Sequence, residues 1–118
     1  MEHVKMKLSD GLIIAEFKKG LEFTMELAKE MVDERLKLQN GKDYPLILIA
    51  NGFKVESREV REYLKKEGIQ GMKSGCFVVE NFFEKVMVNF FLFVNPPKIP
   101  SKMFTSLKEA IEWSAKYK

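Results

Sequence analysis

Apolar and polar residues alternate in "HVKMKLS": Val4, Met6 and Leu8 fall on one side, His3, Lys5 and Lys7 on the other. A period of two predicts a half-buried strand. Asp10-Gly11 supplies a hairpin turn into a second strand, "LIIAEF", over 12–17, which Gly20 breaks. Thr24 is a predicted N-cap for a helix running to about Gln39 and stopped by Asn40-Gly41. "YPLILIAN" then sets five apolar residues in a row, Leu46 to Ala50, behind a proline. Such a run predicts a strand covered on both faces, as in parallel sheets.

The second half repeats the alternation of strand and helix. Ser57 caps a helix expected to close at Gly68 in a left-handed Schellman turn. "GCFVV", 75–79, reads as another buried strand, and Asn81 with Glu84 as a capping box opening a third helix that Asn95-Pro96-Pro97 ends. Met103-Phe104 predicts a short edge strand, and Ser106 with Glu109 caps the last helix, "LKEAIEWSAKY". The order ββαβαβαβα predicts the α/β class. We expect one domain over 1–118, with a four- or five-stranded, mostly parallel mixed sheet and about four helices.

On the third helix, apolar positions 82, 83, 86, 87, 90, 91 and 94 follow helical spacing. With Phe82 at zero they predict a core face over about 0° to 180°, leaving Glu84, Lys85 and Asn89 outside it. Val88 and Leu92 fall near about 240° and 280°, within that polar sector. They are therefore the predicted surface for self-association, with a homodimer foremost, or for a protein partner. The run Phe90 to Val94 is far short of the roughly eighteen residues a bilayer span needs, so no membrane span is expected.

On the first helix, Met25, Leu27, Ala28, Met31, Val32, Leu36 and Leu38 make an apolar face with Arg35 near its middle. A guanidinium there needs a carboxylate, carbonyls or an anion, which marks Arg35 as a candidate for ligand binding or a structural ion pair.

Composition narrows the function. With 46% apolar and 31% charged residues in 118, the chain is globular. The net charge of +3 is scattered among acids without aromatic-flanked basic motifs, so nucleic acid is not an expected partner. A lone cysteine, Cys76, in an apolar strand suits a buried inert thiol in a reducing cytoplasm, and Met1 to Leu8 carries no signal-peptide pattern. His3 is the single histidine, too little for a metal cluster or a Ser-His-acid relay. "GIQGMKSG" has neither common phosphate-loop spacing and reads as a turn. No catalytic residue, cofactor or metal is therefore expected. What remains is the carboxyl edge of the sheet, where ligands of open α/β folds collect. Asn51 and Asn81 end the two apolar strands, and helix N-termini follow at Ser57 and Asn81. Ser57, Asn51 and Asn81 are thus the candidate anion or phospho-acceptor site.

Over nearly its whole length the chain resembles small, stand-alone bacterial STAS-like or CRAL-TRIO-like single-domain proteins of unassigned function. The resemblance is carried by "NPPKIPSKMF…EAIEW" and by "SREVREY", 57–63; Ser114 stands after Trp113 where leucine is expected. It implies the STAS fold, four or five strands with helices packed against them. In anti-sigma factor antagonists of that fold, a serine at the start of the helix after the central strand is phosphorylated by a partner kinase, and Ser57 occupies roughly that place. "IANGFKVESRE" departs from their motif of an acidic strand end, adjacent serines and a glycine. The function expected is a non-enzymatic STAS-like protein-interaction or regulatory module. The alternative is a carrier or sensor for a small apolar or anionic ligand, with the aromatic third helix as a wall.

Overall fold

Asp10 and Gly11 both take the left-handed conformation, at φ 53° and 75°, as a two-residue hairpin turn requires. The chain reverses there, and β1 (Val4–Ser9) pairs antiparallel with β2 (Leu12–Phe17). The computed structural model describes residues 2–93 and 97–118, with the backbone alone of Phe90, Phe91 and Phe93. Thr24 Oγ1 accepts the Leu27 amide at 3.1 Å and starts α1 (Met25–Gln39); Asn40, left-handed, ends it. Then come β4 (Tyr44–Ile49), α2 (Arg58–Lys66) capped by Ser57, β6 (Met72–Val78), α3 (Phe82–Phe93), β7 (Ser101–Phe104) and α4 (Leu107–Ser114). The predicted class holds: a five-stranded sheet, order β1-β2-β4-β6-β7, parallel from β2 onward, with four α-helices among the described residues.

Each crossover steps to the neighbouring strand in one direction. Right-handed connections then put α1, α2 and α3 on the same face of the sheet, leaving α4 the other. The core divides accordingly. Ile13, Ala15, Phe17, Leu46, Phe77 and Val79 meet Ala28, Val60, Val88 and Leu92 on the three-helix face. Leu12, Ile47, Cys76 and Val78 meet Ala110 and Trp113 on the α4 face. Alternate residues of one strand supply both clusters, which is why β4 and β6 are apolar throughout.

Two short strands were not foreseen: β3 (Glu22–Phe23) and β5 (Lys54–Val55) form a separate parallel ladder. Two residues carry no readable period. The ladder brings Phe23 and Phe53 edge-on to Phe17, at 5.0 and 5.6 Å between ring centroids, and Phe53 stacks on Phe77 at 5.8 Å.

Several expectations are corrected. The left-handed glycine after α2 is Gly71, not Gly68. Strand β6 begins at Met72, ahead of the apolar run. Leu38, expected on the apolar face of α1, is exposed. Most consequential is α3: Phe82, Phe83 and Val86 are 81%, 75% and 51% exposed, whereas Val88 and Leu92 are 0% and 6%. Val88 and Leu92 are therefore core residues of their own chain and not a self-association surface. The helix is apolar on both sides and is turned about half a circle from the wheel reading. It lies over β7, the edge strand of the sheet. Asn95 and Pro96, the predicted helix stop, lie outside the described residues, as does Val94.

Candidate functional site

Arg35 is the residue the sequence reading placed best. It is 2% exposed, and its guanidinium donates to Gln39 Oε1 and, at 2.9 Å, to the carbonyl of Gly68. Gln39 Nε2 in turn donates to the carbonyls of Lys42 at 2.7 Å and Gly71 at 2.8 Å. These bonds tie α1 to the turn between α2 and β6. Both of these acceptors are neutral, so of the partners expected for Arg35 (a carboxylate, carbonyls or an anion) the described residues supply carbonyls. Burial alone pulls the guanidinium down to about 10, because removal from water penalises its charged form.

Arg35 also lines a cavity of about 80 Å³ under α1 and α2. Ala15, Leu46, Leu48 and Phe77 form its floor, Met31 and Leu64 its walls, and Lys65 its second cation. Gly75 opens part of this space: a Cβ there would stand 2.7 Å from Met72 Cε. Sequence periodicity identified the floor residues as core but carried no sign of the space above them.

The three residues of the candidate anion site each make a hydrogen bond with the backbone. Asn51, left-handed at φ 49°, donates from Nδ2 to the Phe17 carbonyl at 2.7 Å, so its amide holds the turn after β4. Ser57 Oγ accepts the Val60 amide at 3.3 Å, and Asn81 Oδ1 accepts the Glu84 amide at 2.9 Å. Each cap oxygen takes one of the N–H groups an anion would need at that helix end. None of the three lines the Arg35 cavity.

Glu84 is buried at 4% exposure, and its Oε1 has no hydrogen-bond partner among the described residues; the same holds for Ser74 Oγ. The Asn81 side-chain half of the predicted Asn81–Glu84 capping box is formed, through the Glu84 amide. Cys76 is buried beside Ser114, with Sγ and Oγ 3.6 Å apart. Burial pushes its thiol up to about 11, against a smaller opposing effect of the Ser114 contact, so the reactive thiolate is disfavoured. Among the described residues no cluster of histidine, cysteine, aspartate or glutamate could hold a metal, and no helix is long and apolar enough to cross a membrane.

Comparison with solved structures places the architecture. A protein from the DUF3478 family with a SpoIIAA-like fold, from Shewanella loihica PV-4, is 12% identical with a TM-score of 0.62, over 94% of this chain and 91% of that one. At that identity the likeness shows the fold alone. It supports the STAS-like half of the expected resemblance and lends nothing to the CRAL-TRIO-like half. A protein with unknown function from Arthrobacter sp. FB24 is 21% identical, over 94% of this chain and 98% of that one, with a TM-score of 0.36. A search of curated proteins found no match. The family model described as Domain of unknown function (DUF7793) matches residues 6–118, and the chain belongs to that family.

Proposed function

We propose that the protein is a non-enzymatic STAS-like interaction module of the cytoplasm, regulatory in role, which works by pairing with a second copy of its own chain through α3. The observation that carries this reading is the exposed apolar flank of Phe82, Phe83 and Val86 in the first turns of that helix. Contiguous exposed aromatics are costly to leave in water and mark contact surfaces.

Charge favours a second copy as the occupant. Glu80 and Lys85 flank the two phenylalanines, one acidic and one basic. In an antiparallel pairing of two such helices the acidic Glu80 end of each copy lies toward the basic Lys85 end of the other, a self-complementarity that suits an isologous interface. The three side chains offer roughly 400 Å² per copy, about half of a standard partner surface. The pairing is accordingly weak and reversible. The single cysteine, buried and free, suits a reducing compartment.

Sedimentation of wild type against Phe82→Ser/Phe83→Ser tests the reading. We expect a concentration-dependent monomer–dimer equilibrium in wild type, and a monomer of unchanged melting temperature in the variant. A wild type that stays monomeric at millimolar concentration overturns self-association. A heterologous partner whose binding is lost in the same variant replaces the second copy while leaving the surface in place.

A further inference from the structure

The cavity beneath α1 and α2 joins two features. Its surface is almost wholly apolar, and the buried Arg35 guanidinium that lines it is held by neutral acceptors. Of the five N–H donors a guanidinium carries, Arg35 uses one on Gln39 Oε1 and one on the Gly68 carbonyl. A buried cation whose acceptors are all neutral is costly. The cost falls sharply when an anion is admitted, because the planar fork of arginine matches a carboxylate in two parallel hydrogen bonds.

From this juxtaposition of Arg35 with the apolar space above Ala15, Leu48 and Phe77, we infer that the cavity binds a short-chain monocarboxylate. The carboxylate lies against Arg35 and the hydrocarbon end lies on the sheet. The size follows from the space: about 80 Å³ exceeds the roughly 30 Å³ share of one water and falls short of the roughly 150 Å³ cavity that holds benzene. A polar solute without an apolar end would leave Leu48 and Phe77 uncovered, and a neutral apolar one would leave the guanidinium uncompensated. The inference does not depend on the α3 surface, since Phe82, Phe83 and Val86 do not line the cavity.

Titration of the isotopically labelled wild-type protein with sodium acetate, ethanol and ethylammonium, followed by NMR, tests it. Acetate is expected to give saturable shifts of the Arg35 Nε–Hε signal and of the Leu48 and Met31 methyls. We expect it to bind at least tenfold more tightly than ethanol, with ethylammonium giving no saturable shift. Arg35→Met is expected to remove that tenfold preference. Equal affinity for acetate and ethanol would show an apolar cavity without anion selectivity and would overturn the inference. So would acetate shifts confined to surface lysines, or no saturable shift at millimolar acetate. The wild-type titrations decide the matter even if Arg35→Met does not fold.

Discussion

Gly68 shows how one residue can serve a distant one. Its carbonyl receives Arg35 from a helix 33 positions earlier, and a Cβ at Gly68 would lie 2.2 Å from the Leu64 carbonyl oxygen. Backbone cannot yield there as a side-chain tip could, so Gly68→Ala must open the turn and move the carbonyl away from the guanidinium. The expected loss is about 1–3 kcal/mol, read as a lower urea midpoint with an unchanged slope. An unaltered midpoint would mean that the turn adapts without cost. Residues whose role is local were legible beforehand: Thr24, Ser57 and Ser106 each accept the amide three positions on, because a cap is decided within one turn of chain. The role of Gly68 was misread for the opposite reason, since its crowding comes from the folded path of the turn.

At the scale of the element, α3 separates two kinds of apolar residue that look alike in the sequence. Phe82→Ser and Phe83→Ser should each change stability by no more than about 0.5 kcal/mol, as surface substitutions do. Val88→Asp puts an unpaired carboxylate into a fully buried position and should cost upwards of about 4 kcal/mol, enough to unfold a small domain. Thermal melts of the three variants check this. The opposite ranking would mean that α3 packs by the face that spacing suggests. Counting apolar positions could not choose between the faces, because both carry enough of them to make a core. The choice fell to packing: the side bearing Val88 and Leu92 joins the core on the three-helix face, and the side bearing Phe82 and Val86 stays exposed.

For the molecule as a whole, the two faces of the sheet are unequally defended. Three helices cover one; α4 is the cover for Leu12, Ile47, Cys76 and Val78 on the other. Phe104, Trp113 and Tyr117 pack in series along it, at 5.8 and 4.9 Å between centroids. Removing residues 101–118 takes away β7, α4 and this aromatic series together. It exposes an apolar sheet face and a new strand edge at β6. The truncated chain is expected to lose cooperative unfolding and its near-ultraviolet circular dichroism. A sharp denaturation transition in it would show that the three-helix face is sufficient.

What the sequence by itself determined is whatever depends on neighbours a few residues away: the Asp10-Gly11 hairpin, the three hydroxyl caps, the end of α1 at Asn40, and strands apolar on both sides that demand helices on both. From these the order of elements and the parallel sheet follow, because so few connections between them are sterically allowed. What only the tertiary structure decided is everything that depends on which surfaces meet: the face α3 buries, the carbonyl partners of Arg35, the β3–β5 ladder, and the space beneath α1 and α2. A cavity is a failure of distant side chains to fill a volume, and an exposed flank is a contact that no neighbour makes. Neither leaves a local pattern in the chain, for both are properties of the packing between elements.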